Sequence, residues 1–312
     1  MKNLQAFQDF HHLGSAYLNS AALYFRPLAK QLIDQSSRSK RPVFLAINGA
    51  QGSGKSTLSD YLFAYLSEQG VSALVLSLDD FYLTRAERQT LAKTVHPLLA
   101  TRGVPGTHDY ELIENVLSSL RMNQSVAVPR FDKSQDDRKP ELDVVEQLPS
   151  VVIFEGWCWG GKHVAPEALS PSVNSLEENE DSDLIWRHFV NDALAMRMEP
   201  LYQFMDYWVM LESPGFDAVY RWRLEQEQKL KRRLESEGAL DQAGGVMSEA
   251  EISRFILHYQ RVTEQVLNDL PSKADLVYQL DQNRKICGVK GADQYLVAGM
   301  LDSVQAIQGA QQ

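Results

Sequence analysis

Apolar positions recur along the chain at two spacings, and the alternation between them outlines the fold. Near the start, Leu4, Phe7, Phe10 and Leu13 follow at three-residue steps, and Tyr17, Leu18, Ala21 and Leu23 continue the set. This spacing predicts two short helices over residues 1–40, packed onto a main body of residues 41–312. "RPVFLAING", Arg41 to Gly49, is a continuous apolar run between a proline and a glycine and predicts a strand, and "STLSDYLFAYLSEQG" then keeps helical spacing to Gly70. A second apolar run, Val71 to Leu78, ends in Asp79 and Asp80, and a third, "PSVVIFEGWCWGG", ends in Glu155, Gly156 and Trp157. "WRHFVNDALAMRMEPLYQFMD" returns to helical spacing before another strand-like run, "YWVMLES". Strands that are apolar without strict alternation, separated by helices, predict a mainly parallel sheet covered on both faces, a three-layer α/β/α sandwich.

Two stretches break this pattern. Residues 166–183, "PEALSPSVNSLEENEDSD", are rich in Pro, Ser and acidic residues and read as a solvated excursion. From Val219, "VYRWRLEQEQKLKRRLESE" is a long charged helix, followed by a glycine pair in "GGVMSEAEISRF", where Ser248 and Glu251 have the spacing of a capping box. The last twenty or so residues are expected to fray.

Composition narrows the function classes. The chain has 312 residues, 44% hydrophobic and 23% charged, values expected of a folded protein. With 31 Lys and Arg against 41 Asp and Glu, the net charge of -10 disfavours a general nucleic-acid binder. The two cysteines, Cys158 and Cys287, have no metal-ligand spacing and suit a reducing compartment. No stretch has the roughly 18 uninterrupted apolar residues of a membrane span, and no apolar segment of signal-peptide length opens the chain, so the expected location is the cytoplasm. Oligomeric state is not legible.

The chemistry begins at "INGAQGSGKST". Gly49, Ala50, Gln51, Gly52, Ser53, Gly54, Lys55 and Ser56, followed by Thr57, match the G-x-x-x-x-G-K-[ST] phosphate loop. Its glycines allow successive backbone N–H groups to converge on phosphate oxygens at the positive end of the next helix. Lys55 would reach the β and γ phosphates, and the Ser56 hydroxyl would ligate Mg2+. A predicted strand before the loop and helix after it supply the context of a P-loop NTPase binding ATP or GTP. Ligands of open parallel sheets gather at the carboxyl ends of strands. Asp79, Asp80 and Glu155 therefore belong near the phosphates: Asp79 suits the group that takes an acceptor's hydroxyl proton, and Glu155 suits Mg2+, with Asp79 a further candidate ligand.

Beyond the loop, "SLDDFYLT", "TRGVPGTHD", "VPRFDKSQDDR", "VVIFEGWCWG", "VNSLEEN", "WRHFVND" and "WRLEQE" follow in an order that resembles the plant-type D-glycerate 3-kinases and their bacterial and fungal relatives, a branch of the phosphoribulokinase, uridine kinase and pantothenate kinase group. The resemblance spans about Val43 to Tyr259. It implies that Asp79 is the general base, that Asp80 and Tyr82 of the same motif border the acceptor, and that Glu155 helps position Mg2+. Arg102, His108 and Asp109 fall where the group recognises its acceptor, and Arg130, Asp132, Lys133 and Arg138 are offered to the same pocket, where cations would suit a carboxylated substrate. The charged helix resembles the group's mobile lid, here about residues 219–247, with Arg221 and Arg223 placed to act on the transferring phosphoryl group. Two apart, these arginines do not share a helix face.

The sequence thus predicts an ATP- and Mg2+-dependent kinase acting on a small hydroxyl acceptor, D-glycerate first. The alternatives are a kinase for another small alcohol, pantothenate-like or nucleoside-like, and a P-loop ATPase that acts as a switch and docks a partner through the 166–183 excursion.

Overall fold

A computed structural model of the chain describes residues 3–236 and 247–300. Strand β1, Val43–Gly49, is buried along its whole length. Its side chains alternate between two cores: Phe44 and Ala46 join one, and Val43, Leu45 and Ile47 join the other. A strand with helices on both faces needs apolar residues at every position.

After β1 come α3 (Lys55–Glu68), β2 (Ala73–Ser77), α4 (Arg85–Thr94), α5 (Tyr110–Arg121), β7 (Val151–Gly156), α6 (Ser175–Glu180), α7 (Ile185–Ala193), β8 (Tyr207–Glu212), α8 (Phe216–Ser236), α9 (Glu249–Asp269), β9 (Leu276–Leu280) and β10 (Ile286–Lys290). The six-stranded sheet has the order β10-β9-β8-β1-β7-β2 and is parallel except for β10, which pairs antiparallel with β9. Between α5 and β7 the chain makes two small antiparallel ribbons: β3 (Val126–Val128) with β6 (Asp143–Val145), and β4 (Phe131–Asp132) with β5 (Asp137–Arg138). This is the predicted α/β architecture with a mainly parallel sheet. The two ribbons, built of two- and three-residue strands, are too short to leave a period in the sequence.

Two short helices were expected before β1. The first, α1 (Leu4–His11), is short, but the second, α2 (Ser15–Arg38), runs 24 residues through Pro27. The burial of Phe25, Leu28, Ala29 and Leu32 against the α3 face carrying Leu58, Tyr61 and Leu62 offsets the ~3 kcal/mol that an interior proline costs a helix.

The 166–183 segment also departs from expectation. It contains a 3-10 turn at Pro166–Leu169 and helix α6, and Leu169, Leu176, Glu177 and Asp181 are buried. Arg261 of α9 donates to both carboxylate oxygens of Glu177, at 2.7 and 2.6 Å, and to the carbonyls of Ala168 and Pro171. Arg187 of α7 donates to Asp181 at 2.8 Å and to the carbonyl of Leu169. Two of the acidic residues that make the stretch look solvated, Glu177 and Asp181, in fact face buried guanidinium groups, while Glu167, Glu178, Glu180 and Asp183 are exposed. The predicted capping box at Ser248 and Glu251 is present. Residues 237–246, which include the predicted Gly244–Gly245 hinge and the far end of the 219–247 segment, and the terminal residues 301–312 lie outside the described residues. No helix among the described residues is long and apolar enough to cross a membrane.

Removing one member of the buried network leaves an opposite charge desolvated. Arg261→Met is expected to lower the unfolding free energy by about 3–5 kcal/mol, read as a fall in the urea midpoint.

Candidate active site

The register of the sheet builds the site. β1 pairs with β7 so that Ile47 faces Glu155 and Asn48 faces Gly156, and β2 brings Ser77 opposite Glu155. The carboxyl ends of β1, β2 and β7 therefore meet at one place. From β1 the chain enters the loop Ala50 to Gly54, in which Gly52 and Gly54 have φ of 80° and 97°, and Lys55 begins α3. Thr57 follows on α3. A Cβ on Gly52 would lie 2.7 Å from Cβ of Trp222 on α8, so the loop rests directly against that helix. The Gln51 Oε1 and Ser53 Oγ atoms are buried without a partner, polar atoms available to a ligand.

Behind the loop, the Ser56 hydroxyl donates to Glu155 Oε1 at 2.9 Å, and Lys55 Nζ stands 3.7 Å from Glu155 Oε2, which accepts no hydrogen bond. Asn48, the polar residue in β1, donates to the carbonyls of Trp157 and Trp159 and so holds the turn after β7.

Asp79 and Asp80 lie in a single 3-10 turn, Leu78–Phe81, after β2. They have separate tasks. Asp79 Oδ1 accepts from Tyr82 Oη at 2.5 Å and Oδ2 from Lys133 Nζ at 2.6 Å. Burial pushes its carboxyl up, but the Lys133 and Lys55 ammonium groups and the two hydrogen bonds outweigh it and hold the group well below the usual carboxylate range. Lys133 is shifted up in turn, chiefly by the charge of Asp79. Asp80 instead accepts from Arg130 at 2.8 Å and from the Phe131 amide at 3.2 Å, tying the turn to β4.

Most of the flanking charges expected at the acceptor pocket are paired within the chain. Arg130 bridges Asp80 and Asp143. Asp109 caps α5 through the Leu112 amide and pairs with Arg138, which also donates to the Tyr82 carbonyl. Asp132 caps its own turn through Ser134. These side chains are bonded within the chain and tie the loops to one another. Arg102 pairs with Asp136, stacks over Phe131, and has its carbonyl held by Tyr259 Oη at 2.8 Å. Its charge reaches Lys133 and Tyr82. On α8, Arg221 turns to Gln282 near the β9–β10 turn, whereas Arg223 pairs with Glu227, stacks on Phe255 and acts on Tyr259. Opposite helix faces send the two arginines apart.

His108 is buried, with neither ring nitrogen partnered, and its ring lies 5.0 Å from that of Tyr82. Burial lowers its pKa to about 4. Trp157 and Trp159 are packing residues: the Trp157 indole donates to the Gly103 carbonyl and its ring meets Tyr259 edge-on at 5.0 Å. Sequence reasoning missed Tyr259, Trp222 and Asn48. Only Asn48 leaves a trace, as the one polar side chain within an apolar strand.

The comparisons with known proteins agree with this geometry. The profile of the phosphoribulokinase/uridine kinase family matches residues 44–161. An uncharacterized kinase of Schizosaccharomyces pombe is 36% identical over 86% of this chain and 98% of its own. The chain belongs to the phosphoribulokinase/uridine kinase family. The chloroplastic D-glycerate 3-kinase of Arabidopsis thaliana is 30% identical over 78% of this chain, which spans 53% of the plant protein. The solved structure of a D-glycerate 3-kinase from Cryptococcus neoformans superposes with a TM-score of 0.69 at 27% identity, covering 89% of this chain and 99% of that one. This is therefore an ATP-dependent P-loop kinase of a family that uses ATP with Mg2+. The residues present fit that pair: an open amide loop followed by a helix N-terminus for the phosphates, and for the cation a hydroxyl beside a carboxylate with one buried oxygen unpartnered.

Two measurements probe this arrangement. Gly52→Ala forces a side chain into Trp222 at a positive φ and is expected to weaken ATP binding about tenfold or more, ~1.4 kcal/mol, by titration calorimetry. Because His108 in the folded chain titrates near 4, below an unfolded value near 6.5, the unfolded state binds more protons between these pH values. Its share of stability is full above about pH 6.5 and is lost as pH falls toward 4. His108→Phe should remove about 2 kcal/mol of the destabilisation between pH 7.5 and 5, seen as a smaller drop in unfolding temperature than in the wild type.

Proposed function

We propose that this protein transfers the γ-phosphoryl group of ATP to a hydroxyl of a small carboxylated alcohol, with D-glycerate the leading acceptor. The observation that carries the reading is Asp79: a carboxylate at a strand end beside the phosphate loop, with Tyr82 and Lys133 on its two oxygens and Arg102 close by. Cations next to a base suit an acceptor that brings its own negative charge. The resemblance to the plant and fungal D-glycerate 3-kinases supports the same acceptor.

In this scheme the loop amides and Lys55 hold the phosphates. Ser56 and Glu155 would hold Mg2+, with Asp79 at the edge of that site, and when bound the cation neutralises charge on the β and γ phosphate oxygens. Asp79 takes the acceptor's proton, with Tyr82 fixing the orientation of its carboxylate. Lys133 and Arg102 bind the acceptor's anionic group. Arg223, on the face of α8 turned toward Tyr259, is the lid arginine that reaches the reacting phosphoryl group, and Arg221 is not. His108 supports Tyr82 from behind. Asp80, Asp109, Arg130, Asp132 and Arg138 keep the acceptor loops in register. Catalysis by such a site is positioning and electrostatic stabilisation rather than covalent chemistry. The unpaired Cys158 and Cys287 suit a cytoplasmic setting.

The test is Mg2+-dependent ADP release from ATP with D-glycerate and a panel of other small alcohols. D-glycerate should stimulate turnover strongly, and Asp79→Asn should lower kcat by about 10²–10⁴-fold with ATP affinity nearly kept. Stimulation by another alcohol in place of D-glycerate would overturn the acceptor assignment, and turnover unaffected by Asp79→Asn would overturn the base.

A further inference from the structure

Each oxygen of Asp79 carries a donor: Tyr82 on Oδ1 and Lys133 on Oδ2. Each oxygen keeps a second lone pair, but a carboxylate whose charge is shared with an ammonium at 2.6 Å is a weak proton acceptor, so the base gains strength when that kind of donor leaves. Tyr82 is not free to leave, because it is buried and its ring is boxed by His108 at 5.0 Å and Phe131 at 5.1 Å. Lys133 is free to leave: it stands on the turn between β4 and β5, its side chain is 62% exposed, and its four-carbon stem allows the ammonium to swing. The turn itself stays anchored, since the buried Arg88 donates to the Asp136 carbonyl at 2.7 Å and Asp132 caps the turn. Two further charges act on the ammonium. Glu155 draws it into the cleft along with Asp79, and Arg102 opposes it.

Resting on the reading of Asp79 as the base, we propose that Lys133 is a charge lock on Asp79, and that the carboxylate of the acceptor opens the lock by drawing the ammonium onto itself. An anion entering between Lys133 and Arg102 relieves their repulsion and gains both as partners, while a neutral alcohol offers nothing to move the lysine. Selection for a carboxylated acceptor is then exercised on the base as well as on binding. In productive transfer the acceptor oxygen bonds to the γ phosphorus, the bond from that phosphorus to the β,γ-bridging oxygen breaks with its electron pair leaving on ADP, and the hydroxyl proton passes to Asp79. With water as acceptor the same balance yields ADP and inorganic phosphate. The lock suppresses this wasteful reaction while no acceptor is bound.

The experiment measures ADP release from Mg2+-ATP by the full chain without acceptor, with D-glycerate and with glycerol, for wild type, Lys133→Met and Lys133→Arg, with unfolding temperatures as the check on folding. Lys133→Met is expected to raise acceptor-free release about tenfold and to lower the ratio of kcat/KM for D-glycerate over glycerol about a hundredfold. Lys133→Arg, whose guanidinium still pairs with Asp79, should raise acceptor-free release less. If acceptor-free release in Lys133→Met is unchanged or lower, or if both acceptors lose activity in parallel, the lock is wrong and Lys133 serves only as a phosphate or structural contact. Failure of the wild type to use D-glycerate would remove the acceptor assignment instead, and the acceptor-free comparison would still decide on the lock.

Discussion

The site depends on the register of β1 against its two neighbours. Parallel pairing sets Ile47 opposite Glu155 and Gly49 opposite Leu211, so the phosphate loop leaves the sheet where the β7 carboxylate arrives. Because side chains alternate with period two, a one-residue slip of β7 would turn Glu155 away from Ser56 and set an apolar neighbour in its place. The alternation of β1 between two cores opposes that slip, since Phe44 and Ala46 fill one and Leu45 and Ile47 the other. Burial of apolar side chains thus specifies the position of a hydroxyl and a carboxylate that neither core contains.

Around this rigid base the charges form two populations. Arg130, Arg138, Asp80, Asp109 and Asp143 neutralise one another and fasten the turn after β2, the start of α5 and the β3–β6 ribbon together. Their geometry is that of a frame. Lys55 and Lys133 pair instead with Glu155 and Asp79 at the strand ends beside the phosphate loop, where a bound phosphate would compete for them.

The 166–183 segment extends the same logic to the far side of the site. Glu177 and Asp181 are stabilised by Arg261 and Arg187, and through Arg261 the segment grips α9 two residues from Tyr259. Tyr259 in turn holds the Arg102 carbonyl and covers Gly103, where a Cβ would meet its ring at 2.9 Å. A stretch remote in sequence therefore helps to place the loop that carries Arg102 and Gly103.

The sequence by itself determined the sheet class, the phosphate loop, the acidic residues at the strand ends and the capping box at Ser248, because each is written in local periodicity or in a motif whose residues are contiguous. It also pointed to Asp79 and Lys133, although not to their contact. What only the tertiary structure decided is the division of labour among like charges: Asp80 from Asp79, Arg130 and Arg138 from Lys133, and Arg221 from Arg223. Most of the partners that made those divisions are 29 to 61 residues away, as Arg130 is from Asp80, Lys133 from Asp79, Arg138 from Asp109 and Arg221 from Gln282. Composition cannot distinguish a solvated carboxylate from one facing a buried guanidinium, which is why the 166–183 segment looked like a surface loop. The charge of a residue is a property of its side chain, whereas its function depends on which opposite charge the fold brings to it.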